Sequence, residues 1–121
     1  LTIFISMTDP LNHTTTYGYD LMSNRTAMTN ALNQTTNYEY DEFNRLKKVI
    51  YPPAVSGGTR LEESLEYDLV GNVKKRIDTA ARPTIYDYDN RNRLIKVTDA
   101  LNQITQFEYN QRSQMTKVTD A

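Results

Sequence analysis

Pairs of large apolar or aromatic residues two positions apart recur along the chain: Tyr17 and Tyr19, Tyr38 and Tyr40, Leu65 and Tyr67, Tyr86 and Tyr88, Phe107 and Tyr109. Side chains of a β-strand alternate between its faces, so partners at i and i+2 share one face. Each pair thus predicts a strand with one aromatic face, as over Thr36 to Asp41. Next comes Asp20, Asp41, Asp68, Asp89 or Asn110, and three places further on Ser23, Asn44, Gly71, Asn92 or Ser113. Gly and Asn in that place suit a left-handed backbone, which predicts a turn. A second strand follows, as in Leu46-Lys47-Lys48-Val49-Ile50 or Leu94-Ile95-Lys96-Val97-Thr98. Leu94 and Val97 are three apart, and strict alternation would put them on opposite faces. Either the strand bulges or both faces are partly covered.

The second aromatics, Tyr19, Tyr40, Tyr67, Tyr88 and Tyr109, stand 21, 27, 21 and 21 residues apart. The connecting segments repeat too: Met7 to His13 aligns with Val97 to Gln103 and, in part, with Asn30 to Gln34. Asn12, Asn33 and Asn102 mark a second turn of the same kind, and Asp9, Asp78, Asp99 and Asp120 open it. The longer spacing falls on Tyr51-Pro52-Pro53-Ala54-Val55-Ser56-Gly57-Gly58-Thr59-Arg60, whose Pro and Gly density reads as a surface loop replacing a tight turn. Residues 1–121 are therefore expected to form one all-β array of tandem antiparallel hairpins, about 21 residues each, with a loop inserted at 51–60.

Composition narrows the function classes. Apolar residues make up 38%, below the roughly 45–50% of ordinary domains, so a thin extended structure is expected. The net charge of −1, with both signs spread along the chain, argues against a nucleic-acid partner and a polybasic membrane anchor. With no cysteine there is neither a disulfide framework nor a thiolate metal site. No run is long enough for a transmembrane helix, and membrane insertion is not expected.

The strings TTNYEYDEFNRLKKV, LEYDLVGNVKKRID and YDYDNRNRLIKVTDALNQIT resemble YD repeats, also called RHS repeats, and the likeness runs from about Met7 to Ala121. That family includes bacterial polymorphic toxins, Tc toxin C-components and the animal teneurins. Its repeats form a β-hairpin strip that spirals into a hollow shell. The resemblance implies a spiralling strip or a section of such a shell, in a secreted or cell-surface protein that encloses or displays a toxin or effector. Departures are Asn or Ser for Gly in most turns, Leu65 for an aromatic, and Asn110 for Asp.

One hairpin is marginal alone in water, whereas stacked hairpins cover one another's apolar faces. The ten residues of the aromatic rows, Tyr17 to Tyr109 as named above, are accordingly expected to be the shared core. Asp20, Asp41, Asp68, Asp89, Asn44, Gly71, Asn92, Asn12, Asn33 and Asn102 are assigned to the turns. An acidic ladder for cations is a weaker account of those aspartates than side-chain bonds to the turn backbone.

His13, the one histidine, aligns with Gln34 and Gln103 and reads as a turn residue. Asp9-Pro10-Leu11 resembles the D-P-x-G segment of the self-cleaving RHS core but lacks its Gly, and Gly57-Gly58 lacks the lysine and helix of a phosphate loop. Three sequons, at Asn12, Asn24 and Asn33, exceed chance only slightly. The expectation is a non-catalytic structural module without cofactor or metal, whose partners are neighbouring repeats and an enclosed toxin. The alternative is an adhesive or self-assembling element, forming a surface or fibre and binding carbohydrate, cells or copies of itself.

Overall fold

The computed structural model describes residues 1–121 and holds eleven strands and no helix. They are β1 (Ile3–Thr8), β2 (Thr14–Tyr19), β3 (Arg25–Thr29), β4 (Thr35–Tyr40), β5 (Leu46–Ile50), β6 (Glu62–Tyr67), β7 (Val73–Ile77), β8 (Pro83–Tyr88), β9 (Leu94–Thr98), β10 (Ile104–Tyr109) and β11 (Met115–Asp120). Sheet order is chain order. The chain divides into two compact units, Leu1–Ser64 and Leu65–Ala121.

Within the first unit β2 pairs antiparallel with β1 and β3, and β4 with β3 and β5. Directly opposed residues of an antiparallel pair share a face. Ile5, Tyr17 and Met28 therefore line up across three strands, and Tyr38 faces Val49. In the second unit Tyr86 faces Val97, which faces Thr105, and Phe107 faces Val118. One face of each unit thus collects the paired aromatics and the aliphatics opposed to them, while Phe4, Ile50 and Ile85 lie on the other.

The three-residue spacing of Leu94 and Val97 is explained by a bulge. Asp87 opposes Lys96 but Tyr88 opposes Leu94, so Ile95 is left without an opposite number. One extra residue resets the alternation. Leu94 and Val97 both end up on the face of Tyr86 and Tyr88. The same skip falls on Thr26, Lys47 and Thr116.

No hydrophobic side chain is fully buried. The paired tyrosines and the opposed Met28, Val49 and Val97 are half-buried by their strand neighbours. Ile5 and Val118 on the end strands are exposed, and so are Glu39, Gln106 and Glu108 on the other face. The aromatic rows therefore form a half-buried face and no sealed core. Gly18 alone is buried, and a Cβ there would lie 3.3 Å from the Phe4 ring and from Ala27.

Candidate functional site

Nine connections share one five-residue geometry, shown by Asp41-Glu42-Phe43-Asn44-Arg45. The Asp41 N–H donates to the Arg45 carbonyl (2.9 Å) and the Asn44 N–H to the Asp41 carbonyl (3.0 Å). Asp41 Oδ1 accepts the N–H groups of Phe43 (2.9 Å) and Arg45 (3.0 Å). One carboxylate oxygen thus satisfies two amides that the turn would otherwise leave unpaired. The fourth residue has positive φ throughout: Asn12, Ser23, Asn33, Asn44, Gly71, Ala81, Asn92, Asn102 and Ser113. Asp9, Asp20, Asp68, Asp78, Asp89 and Asp99 act as Asp41 does, and Asn30 and Asn110 offer an amide oxygen instead.

The fifth position supplies a regularity that reading the sequence missed. It holds His13, Asn24, Gln34, Arg45, Asn72, Arg82, Arg93, Gln103 and Gln114, every one able to donate from its side chain. Arg45 Nε donates to Asp41 Oδ2 at 2.7 Å, Arg93 Nε to Asp89 Oδ2 at 2.7 Å, and Asn72 Nδ2 to Asp68 Oδ2 at 3.0 Å. His13 Nδ1 lies 3.0 Å from Asp9 Oδ2. Where Asn opens the turn the direction reverses, and Asn30 and Asn110 donate to Gln34 and Gln114. Aligning nine turns instead of five hairpins would have exposed this pattern.

These bonds hold carboxyls below the usual aspartate value near 3.8: chiefly the Arg93 side chain for Asp89, the Asn24 side chain for Asp20, and the backbone N–H of Arg82 for Asp78 and of His13 for Asp9. At Asp41 and Asp68 desolvation is the largest single influence and pushes upward, but the combined hydrogen bonds outweigh it.

Successive repeats are tied together by tyrosine hydroxyls. Tyr40 donates to the Arg25 carbonyl (2.9 Å), Tyr88 to that of Val73 (2.8 Å) and Tyr109 to that of Leu94 (2.6 Å). Each bond reaches back fifteen residues, to the first residue of the preceding hairpin's second strand. In these three repeats the second aromatic uses its hydroxyl, whereas the first position accepts Phe107. Turns on one margin are bridged as well: Asn24 Nδ2 donates to Asn44 Oδ1 (2.9 Å), and Asn72 Nδ2 to Asn92 Oδ1 (3.0 Å). The guanidiniums of Arg25 and Arg93 lie 4.8 Å over the rings of Tyr17 and Tyr109.

The opposite face pairs charges across strands, Asp87 with Lys96 (3.3 Å) and Lys48 with Glu62 (3.0 Å). Leu65 and Tyr67 stand half-buried in β6. No group of three or more His, Asp or Glu is gathered as a metal site, and no helix is long and apolar enough to cross a membrane. Of the sequon asparagines, Asn24 has its amide engaged by Asp20 and Asn44, while Asn12 and Asn33 sit exposed at left-handed turn positions.

At the insertion the Tyr51 N–H donates to the Leu61 carbonyl (2.9 Å), the closing bond of the short turns stretched over a longer loop. Arg60 fastens it: Nε donates to the Tyr51 carbonyl (2.9 Å), and Nη2 to those of Ile50 (2.9 Å) and Thr35 (2.8 Å). Between this loop and the turn at Leu32–Thr35 lies a cleft of about 560 Å³.

The family described as RHS Repeat matches residues 5–35, 23–52, 67–102 and 88–121. No curated protein matches the chain in sequence. Among solved structures it is similar to the TcdB2-TccC3-Cdc42 complex, with a TM-score of 0.77 and 20% identity over 89% of this chain. The TcdB2-TccC3 complex and the Photorhabdus luminescens Tc holotoxin pore match at 0.76, again at 20% identity over 89%. The chain spans only 5–6% of the length of these proteins.

Proposed function

The chain belongs to the RHS repeat family, and from that premise we propose that it is a non-catalytic wall section of a secreted or cell-surface protein that encloses or displays a toxin or effector. One observation carries the reading: hydroxyl bonds from Tyr40, Tyr88 and Tyr109 to the hairpin before each tie successive repeats, and no hydrophobic side chain is fully buried, which suits a strip that extends by repetition. Such a layer is suited to bounding a space. The aromatic rows stiffen it, and the Asp-anchored turns fix both margins. The test uses the whole protein that carries this strip. A downstream effector segment should resist limited proteolysis in the parent and become cleavable when Tyr86→Ala and Tyr88→Ala open the wall. Equal cleavage in parent and variant would overturn enclosure.

A second reading, association with copies of itself, is favoured by the turn tips. Leu11, Leu32 and Leu101 occupy the same turn position and are 75%, 78% and 79% exposed. Light scattering decides it: a mass that rises with concentration, and falls back when the three leucines become Ser, supports self-association.

A further inference from the structure

We propose that the cleft beside the insertion loop binds a carboxylate-bearing monosaccharide of the uronic-acid class, with Arg60 holding the carboxylate. The inference is independent of the wall reading. A guanidinium has five N–H donors in a fixed fork. Arg60 spends three of them, the Nε one and both on Nη2, on the carbonyls of Tyr51, Ile50 and Thr35. Both N–H groups of Nη1 remain. The three carbonyls are neutral, and no carboxylate lies within salt-bridge distance of Arg60, so its charge is anchored without being neutralised. Arg45, Arg82 and Arg93, by contrast, each pair with the aspartate of their own turn.

The remainder of the lining fits a sugar. Asn33 and Ser56 present an amide and a hydroxyl with no protein partner, suited to ring hydroxyls. Pro52, Pro53 and Leu32 provide apolar surface for the C–H face of a pyranose. The cleft's ≈ 560 Å³ falls within the roughly 300–1,000 Å³ of small-ligand sites. An extended peptide ending in a carboxylate fits less well, because Arg60 already occupies the backbone carbonyls to which an added strand would bond.

Titration of the ¹⁵N-labelled chain, followed by amide chemical shifts, tests the proposal with three probes: glucuronate, methyl glucoside and an N-acetylated dipeptide. Glucuronate should give saturable shifts at Asn33, Ser56 and Gly57, and bind about tenfold more tightly than the other two, the equivalent of one charge-assisted bond. Arg60→Gln should abolish the shifts. Since Arg60 also fastens the loop, Asn33→Asp is the decisive variant: it leaves Arg60 in place, suits the left-handed backbone, and supplies a competing carboxylate. It should weaken glucuronate several-fold while the remaining spectrum is unchanged. No saturable shift with glucuronate would overturn the proposal. So would equal binding of methyl glucoside or of the dipeptide, or an Asn33→Asp variant that binds as the parent does.

Discussion

The tight turns and the insertion loop join antiparallel strands in opposite ways. In each tight turn an acceptor gathers donors: Asp89 Oδ1 takes the N–H groups of Arg91 and Arg93 while its other oxygen receives the Arg93 side chain. In the insertion a donor gathers acceptors, and Arg60 collects three carbonyls. The first device stays within five residues, so it can be copied at both margins of every hairpin. The second reaches back to Thr35 in the preceding hairpin and works only where it stands. Repetition here rests on local closure, and the array accepts an irregular loop because its neighbours close without help.

The comparison implies that stability resides in the regular hairpins. The largest effect is expected from Tyr86→Ala with Tyr88→Ala, which strips one aromatic row. Each tyrosine is only half-buried, so the pair together should cost about 3–5 kcal/mol, the scale of one fully buried aromatic. Chemical denaturation would measure it, and a loss below about 1 kcal/mol would mean that the rows contribute little beyond strand propensity.

Next in size is the response to acid. Six turn aspartates have folded values held below their ordinary one. Their contribution is fully present above the unfolded value near 3.8 and is lost as pH falls below it through the depressed folded values. The melting temperature should therefore be flat from neutral pH to about 5 and drop steeply below 4. The natural Asn turns at Asn30 and Asn110 show what removes this dependence. Converting Asp20, Asp41, Asp68, Asp78 and Asp89 to Asn should flatten the acid limb, and an unchanged limb would place its origin elsewhere.

Smaller still is the single hydroxyl. Tyr88→Phe keeps the ring and deletes the bond to the Val73 carbonyl, at about 0.5–1.5 kcal/mol. Ala81→Gly should go the other way. Ala81 holds φ 60°, a conformation that Gly adopts freely, Asn and Asp tolerate and other residues adopt at a cost, and relief should stabilise by about 0.5–1 kcal/mol. Thermal melts of the two variants should move in opposite directions.

Much of this was legible in the sequence because the repeat prints each feature several times. Four aromatic pairs and Leu65 with Tyr67 marked the first strand of each hairpin, and Asn44, Gly71 and Asn92 marked left-handed turn positions. Ala81 was not legible, since alanine is not selected by positive φ and only its place in the period gives it away. The bulge was half-legible: Leu94 and Val97 announced a conflict with alternation, but skipping Ile95 becomes visible only when a partner strand is in place. Arg60 was hidden because its bonds go to backbone carbonyls, which leave no mark on the side-chain pattern. Gly57 and Gly58 read as loop filler, yet Gly57 has φ 74° and a Cβ on Gly58 would sit 3.0 Å from the Val55 carbonyl oxygen.

The smallest effect is expected where the sequence departs most from its own period. Replacing Tyr51 to Leu61 by Asp-Ala-Leu-Asn-Gln, the turn of Asp99 to Gln103, would restore the 21-residue spacing. Shortening the closed loop from eleven residues to five recovers about 0.7 kcal/mol of closure entropy, slightly more than one doubling of loop length. The new aspartate would also receive the two amide bonds that its counterpart Asp99 accepts. Against this stand the three carbonyl bonds of Arg60, all on an exposed side chain. The terms are similar in size, so the shortened chain should unfold within about 1 kcal/mol of the parent. It would also lack the cleft and every glucuronate-dependent shift. A loss of several kcal/mol would reverse the comparison: the insertion would then be a structural clasp between hairpins, and the regular turns would depend on it.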